Sequence, residues 1–182
     1  MSINWLWELP KVNSLTQQAV VRTALNGWRL SGIVTFISGA PAGFSFSTTT
    51  GADLIGGGDG QRVVLTCNPE LPKSKQTFNQ YFNTSCISQP PVGYIGNADR
   101  TAFYGPGTNN WNMSFFRTFK LKERATLEFR AETYNTFNHT QFSGVNTSAQ
   151  FNAAGQQVNS QFGQVTGAAS ARFMQLAARI SF

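Results

Sequence analysis

The residues best suited to chemistry are two glutamates with an arginine between them. Glu128, Arg130 and Glu132 alternate with apolar residues at 127, 129 and 131, so one strand would carry the charges on one face and apolar side chains on the other. A carboxylate pair could serve a glycosidase, which needs one carboxyl group protonated. Arg130 would hold both carboxylates ionised, and we therefore interpret the three as the polar face of one strand.

Other reactive residues form no catalytic group. His139 has no cysteine or carboxylate at the spacing of a triad, and we expect it in a surface loop. The glycine cluster at 56–60 lacks the Gly-Lys-Ser/Thr ending of a phosphate loop. Cys67 and Cys86 fit no zinc pattern; a disulfide between them would suit an oxidising compartment, and the sequence leaves open that they are free thiols. We expect no enzyme activity, cofactor or metal.

Five segments have the two-residue periodicity of strands: 3–9, 28–37, 111–119, 125–137 and 172–182. The last reads R-F-M-Q-L-A-A-R-I-S-F, and its apolar set is Met174, Leu176, Ala178, Ile180 and Phe182. About ten residues of this pattern can cross a bilayer as a tilted strand. The sequence therefore predicts an all-β fold, with about five antiparallel strands of an incomplete transmembrane β-barrel. In such a barrel we expect Glu128, Arg130 and Glu132 to be lumen-facing polar residues of the wall. A short helix is expected within Val12–Asn26.

Composition favours a barrel over a protein with transmembrane helices and over a nucleic-acid-binding protein. Only 12% of residues are charged, 13% are aromatic, and Phe occurs 16 times, which suits strands with one apolar and one uncharged polar face. No apolar run approaches the roughly 18 residues of a transmembrane helix. The net charge of +6 comes from scattered residues rather than a basic stripe, so nucleic-acid binding is not expected.

Two long segments, 38–110 and 139–170, lack regular patterning and are rich in small polar residues. If the terminal phenylalanine lies on the periplasmic side, both are extracellular loops and Lys120–Arg124 is a short periplasmic turn. Aromatic residues near strand ends are assigned to the membrane interfaces: Trp28, Trp111, Phe119 and Phe182. The N-terminus lacks the features of a signal peptide, so we expect the C-terminal piece of a longer outer-membrane precursor.

An ordered series of motifs resembles the C-terminal part of TonB-dependent outer-membrane receptors, most closely the Oar-like group. The series comprises Trp28 to Gly32, Ser38-Gly39, Tyr81-Phe82-Asn83-Thr84, Gly96-Asn97, Arg100, Gly105-Pro106-Gly107, Asn110-Trp111-Asn112-Met113-Ser114, Phe129-Arg130-Ala131-Glu132, Asn135-Thr136-Phe137-Asn138-His139, Phe142, Phe162-Gly163, Arg172, Gln175-Leu176 and Phe182. It covers most of the chain from Trp28 onward. Asn112 departs from the family, which often has Asp there.

The resemblance implies energised transport of a bulky ligand across the outer membrane. It also implies that the final strand is the recognition sequence for the barrel-assembly machinery, through Met174, Leu176, Ala178, Ile180 and Phe182. Expected partners are outer-membrane lipid, the remainder of the barrel, the plug domain that this chain lacks, and the TonB system through that missing part. Two alternatives remain: a secreted or surface β-sandwich or adhesin-like module that binds through the Cys67–Cys86 loop, and a small complete barrel.

Overall fold

The computed structural model describes residues 1–11, 18–56, 61–121 and 124–182. The chain forms two compact units, which are described separately below. The sheet unit comprises Met1–Ile37, Thr108–Thr140 and Ser170–Phe182. The insert unit comprises Ser38–Gly107 and Gln141–Ala169. The two segments expected as long loops thus fold together, although their sequence shows no sustained periodicity.

Strands are the main regular secondary structure of both units in the described part of the chain; they are long in the sheet unit and only two to four residues long in the insert unit. They are β1 (Ser2–Glu8), β2 (Arg29–Ile37), β3 (Pro41–Ala42), β4 (Ser45–Thr48), β5 (Val64–Leu65), β6 (Ile87–Ser88), β7 (Phe103–Tyr104), β8 (Thr108–Lys120), β9 (Thr126–Tyr134), β10 (Phe142–Val145), β11 (Ser148–Phe151), β12 (Val165–Ala168) and β13 (Phe173–Ser181). Helix α1 spans Ala19–Leu25, and single 3₁₀ turns occur at Lys73–Lys75 and Thr84–Cys86.

The sheet unit is one five-stranded sheet in the order β1-β2-β8-β9-β13. Every neighbouring pair is antiparallel. All five predicted strands are therefore confirmed, and their ends shift by three residues or fewer. The largest shifts are in β8, which begins at Thr108 rather than 111, and β9, which ends at Tyr134 rather than 137. The sheet is open, and the predicted fold class of about five antiparallel strands is confirmed.

The strand register aligns residues of one kind across the whole sheet. One row of cross-strand partners is apolar throughout: Trp7, Leu30, Phe115, Ala131 and Leu176. The next row lies on the opposite face and is polar on four of its five strands: Leu6, Ser31, Ser114, Glu132 and Gln175. Side chains alternate between faces along each strand, so this register gives the sheet one apolar and one polar face.

Both connections to the insert unit leave from the same end of the sheet. Ile37 at the end of β2 pairs with Thr108 at the start of β8, and Tyr134 at the end of β9 pairs with Phe173 at the start of β13. The start of β8 also lies beside the end of β9, so all four strand ends are at one end of the sheet. The opposite end carries the shorter connections between β1 and β2 and between β8 and β9. The long predicted loops and the short predicted turn are therefore at opposite ends, as the sequence indicates.

The expected short helix is α1, which begins after Gln18 and ends before Asn26. Gly27 follows with a positive φ of 80°, which reverses the chain into β2. The rest of the predicted Val12–Asn26 segment, residues 12–17, lies outside the described residues, as do residues 122 and 123 of the predicted turn. Among the described residues, no helix has the length and hydropathy needed to cross a membrane.

The insert unit is held by aromatic packing rather than by a large sheet. Its strands form two-stranded pairs: β3–β7, β5–β6 and β10–β12 are antiparallel, and β4–β11 is parallel. Phe82 and Phe151 are fully buried in a core with eight further residues: Val63, Tyr81, Ile87, Ala98, Phe103, Ala149, Phe162 and Val165. Such a core needs no periodic strands, which explains why periodicity missed it.

Candidate functional site

The apolar face of the sheet is largely uncovered at β13. Leu176 is 69% exposed, and Met174 and Ile180 are exposed to a similar extent. In water, the exposure of these side chains would cost about 25 cal/mol of free energy for each Å² of apolar area. A continuous apolar face across all five strands instead suits contact with the hydrocarbon of a bilayer.

Aromatic clusters lie near both ends of the apolar face. Trp28 stacks on Phe115 with ring centroids 4.3 Å apart and meets Phe119 edge-on at 6.3 Å. Near the other end, Trp111 meets Phe36 at 6.2 Å and Phe137 at 5.4 Å. Trp111 and Phe119 are about 27 Å apart along β8 at about 3.4 Å per residue, which a barrel tilt reduces to about 20 Å of membrane depth. The predicted interface residues on this strand are therefore spaced like the two aromatic girdles of a barrel.

Arg117 is a charged residue on the apolar face, and the structure shows how it is accommodated. Its side chain is buried, with the guanidinium 4.2 Å from the ring centroid of Phe119. The guanidinium donates hydrogen bonds to the carbonyl oxygens of Ala24, at 2.6 Å, and Thr23 at the C-terminal end of α1. These carbonyls carry the negative end of the helix dipole, so they compensate the charge. The two-residue period of β8 puts Arg117 on the same face as Phe115 and Phe119, but no local sequence pattern marks these hydrogen-bond partners.

The polar face brings the three predicted lumen-facing residues together. The Arg130 guanidinium lies 2.7 Å from Glu128 Oε1 and 3.5 Å from Glu132 Oε1. Tyr134 donates a hydrogen bond to Glu132 at 3.3 Å. Both carboxylates are therefore in ion pairs with one arginine, an arrangement that fits a polar wall better than an acid–base pair.

A second ion pair extends this charged band across the sheet. Arg29 Nε lies 3.4 Å from Glu8 Oε1. The guanidinium carbons of Arg29 and Arg130 lie 5.9 Å and 5.6 Å from the ring centroid of Phe116, on the strand between them. Each of these two arginines is paired with at least one glutamate, so the band presents polar groups without a large field of one sign.

A groove of about 490 Å³ runs along this polar face. Its lining includes Asn4, Ser31, Ser114, Phe116, Arg130 and Glu132. These side chains offer hydrogen-bond donors, acceptors and an aromatic surface from four neighbouring strands. The groove is consistent with a wall that faces water or another protein segment rather than lipid.

The motif Asn135 to His139 forms a tight turn after β9. Asn135 has a positive φ of 51°, and its side chain accepts a hydrogen bond from His139 N at 3.0 Å and donates to His139 O at 3.0 Å. Asn112 accepts a hydrogen bond from Asn135 N at 3.0 Å. Asn138 accepts from Arg172 N at 3.0 Å, which joins the turn to the segment before β13. The asparagine at 112, where the resembled family often has Asp, therefore serves as a turn acceptor.

Cys67 and Cys86 form a disulfide in the insert unit, with their Cα atoms 5.0 Å apart. Other motif residues of this unit have structural positions. Tyr81, Phe82 and Phe162 lie in the core. The side-chain amide of Asn97 accepts a hydrogen bond from Leu65 N and donates one to Leu65 O. Burial raises the pKa of Tyr81, with a smaller contribution from the charge of Glu70.

His139 and the start of the glycine cluster lie outside regular secondary structure. His139 is exposed, as expected of a loop residue, and its ring stacks on Phe137 at 5.9 Å. Gly56 opens the glycine cluster with a positive φ, and residues 57–60 lie outside the described part. Within the described residues, no group of three or more histidine, cysteine or acidic side chains is placed to bind a metal.

An antiparallel sheet with one apolar face, aromatic residues near both ends of that face and an ion-paired polar face defines the wall of an outer-membrane β-barrel. Residues 1–175 match the model of the family described as outer membrane beta barrel domain, and the chain belongs to that family. The protein is accordingly a bacterial outer-membrane protein. No curated protein and no solved structure gives a match.

Proposed function

We propose that this chain is the C-terminal part of the barrel of a TonB-dependent, Oar-like transporter or receptor for a bulky ligand. The observation that carries the proposal is the insert unit. Two segments that leave the same end of the barrel wall fold into one disulfide-bonded unit with its own core. A folded insertion of this size on the side we assign to the cell exterior is suited to ligand capture.

The ordered motifs, which resemble those of Oar-like TonB-dependent receptors, are the reason why we propose this family. They are distributed over both units and lie in strands, turns and the aromatic core, where they support the fold rather than select a ligand. The proposed partners are lipid, the rest of the barrel, a plug domain, the barrel-assembly machinery and TonB. We assign no catalytic step, because the two carboxylates closest to a catalytic pair are bound by Arg130.

The test is recovery of TonB with the assembled protein. An epitope tag is placed in the turn at Val92, which is 83% exposed in the insert unit, and the gene is otherwise left intact. The tag should be reached by antibody on intact cells, and immunoprecipitation from solubilised outer membranes should recover TonB. An untagged strain is the control.

Two results would contradict the proposal. If antibody reaches the tag only after the outer membrane is broken, the insert unit lies on the periplasmic side rather than on the cell exterior. An assembled, surface-labelled protein that recovers no TonB would favour the surface binding module instead.

A further inference from the structure

The C-terminal end of helix α1 lies on the apolar side of the sheet. Arg117 belongs to the apolar face, because it lies between Phe115 and Phe119 in the two-residue period of β8. Its guanidinium is the group that donates hydrogen bonds to the carbonyl oxygens of Thr23 and Ala24. In an outer-membrane barrel the apolar side faces lipid. The end of α1 is therefore outside the barrel wall rather than in its interior.

The carbonyl groups at this end of α1 have hydrogen-bond donors that the protein supplies. Arg22 O accepts a hydrogen bond from Asn26 N at 3.0 Å. Ala24 O accepts one from the Arg117 guanidinium and another from Trp28 Nε1 at 3.0 Å. Carbonyls at a helix end without such partners depend on water, and leaving them unpaired in hydrocarbon is costly. The end of α1 can therefore lie in a layer that contains little water.

The sequence of α1 is amphipathic. Its apolar side chains form one stripe, about 140° wide at about 100° per residue: Val20, Val21, Ala24 and Leu25. Arg22 and Thr23 lie outside this stripe. Val20 is 82% exposed and Leu25 is 51% exposed, so the sheet leaves much of the stripe uncovered. A helix with an uncovered apolar stripe and a polar side is typical of segments that lie in the plane of a membrane interface.

Positive charge surrounds the helix at this end of the sheet. The connections there contain or adjoin Lys11, Arg22, Lys120 and Arg124. The side chains of Lys11, Lys120 and Arg124 are exposed. Cationic side chains next to a membrane surface are attracted to the phosphate groups of lipids. The charge at this end therefore complements a layer of phospholipid headgroups, and the apolar stripe complements the acyl chains just below it.

We propose that α1 is an interfacial anchor of the barrel. It lies in the headgroup layer of the phospholipid leaflet at the end of the sheet with the shorter connections, with Val20 and Leu25 toward the acyl chains. Arg117 is the positioning residue that holds the helix end on the lipid-facing side. This role rests on the contacts of α1 and on membership of the barrel family, and it is independent of the proposed transport role.

The test measures the depth of α1 in a membrane. The full-length protein is purified from outer membranes and reconstituted in vesicles of phosphatidylethanolamine and phosphatidylglycerol. A single cysteine replaces Val20, Leu25 or Thr23 and carries a bimane fluorophore, while the native disulfide stays intact. Quenching is measured with iodide in the water and with phospholipids that carry bromine near the headgroup end or near the methyl end of their acyl chains.

We expect iodide to quench the labels at Val20 and Leu25 several-fold less than the label at Thr23, which lies outside the stripe. Bromine near the headgroup end should quench the labels at Val20 and Leu25 more than bromine near the methyl end. Leu176→Cys is the reference for hydrocarbon, because it is in the same cross-strand row as Phe115, midway between the two aromatic clusters of β8. Its label should show the opposite order of the two brominated lipids.

Arg117→Gln tests the residue that holds the helix. Glutamine lacks the guanidinium that reaches both carbonyls, so the label at Val20 should become several-fold more accessible to iodide. Arg29→Gln is the matched control on the polar face, where it removes only the ion pair with Glu8, and it should leave the label protected. Heat-modifiable mobility confirms that each variant is assembled. The labels in the protein with Arg117 intact locate the helix even if Arg117→Gln fails to assemble.

Four results would overturn the proposal. Equal iodide quenching at positions 20, 23 and 25 would place the helix in water. Stronger quenching of positions 20 and 25 by the bromine near the methyl end would place it in the hydrocarbon. Labels at 20 and 25 that no quencher reaches would show that a protein segment covers the stripe. An assembled Arg117→Gln variant with position 20 still protected would show that Arg117 does not hold the helix.

Discussion

At the residue scale, the glycine at position 32 is required by its cross-strand neighbour. A Cβ atom added to Gly32 would lie 2.6 Å from the indole ring of Trp5, which pairs with it on the apolar face. The indole covers the glycine, so the flat ring rather than a side chain at 32 fills this part of the face. The sequence pattern shows only that Gly32 belongs to the apolar set.

Replacing this glycine should weaken the β1–β2 pair. We expect Gly32→Val to lower the free energy of unfolding of the assembled protein by about 1–3 kcal/mol, because the indole must move out of a packed position. Urea unfolding followed by tryptophan fluorescence measures the change. Ser31→Val is the matched control on the opposite face of the same strand, and an equal loss in both variants would show that the Trp5 contact is not the cause.

A second prediction concerns Asn135, whose left-handed backbone and side-chain bonds can be separated. Asn135→Gly keeps a residue that adopts positive φ but removes the hydrogen bonds to His139, at about 1 kcal/mol each. Asn135→Ala removes the bonds and adds about 1–2 kcal/mol of backbone strain. The alanine variant should therefore be the less stable of the two in the same urea assay. Equal stabilities would show that backbone strain at position 135 does not contribute.

At the element scale, β13 combines a position at the sheet edge with a set of exposed apolar side chains. All nine of its residues are exposed, and it pairs with β9 along its whole length from Phe173 to Ser181. The family match ends at residue 175, so most of this strand is assigned by its own pattern and register. Its proposed role in recognition by the assembly machinery remains a prediction.

That role predicts a specific defect at the terminus. Phe182→Ala should reduce the amount of protein assembled in the outer membrane several-fold, because it removes the terminal aromatic side chain of the apolar set. Heat-modifiable mobility of the outer-membrane fraction measures assembly. Ser181→Ala, on the polar face, should leave assembly unchanged, and normal assembly of the Phe182 variant would remove this residue from the recognition sequence.

At the scale of the whole molecule, the sheet could be predicted from sequence and the insert unit could not. A period of two is imposed wherever a strand separates lipid from a polar interior, so the five strands and the Glu128–Arg130–Glu132 band were visible as local patterns. The insert core instead joins residues far apart in sequence, such as Phe44 and Phe162, whose rings lie 6.3 Å apart. No local period marks such contacts. The same is true of Arg117 and the α1 carbonyls.

If the sheet is a barrel wall with lipid on one face, the two faces of β13 differ in their access to oxygen and to polar reagents. Nitroxide scanning of β13 at single cysteines from 174 to 180 in the assembled protein measures this difference, with Cys67 and Cys86 left bonded to each other. Collision with oxygen should be high at 174, 176, 178 and 180, and collision with a water-soluble nickel complex should be high at 175, 177 and 179. Equal access of the nickel complex to both sets would contradict the account.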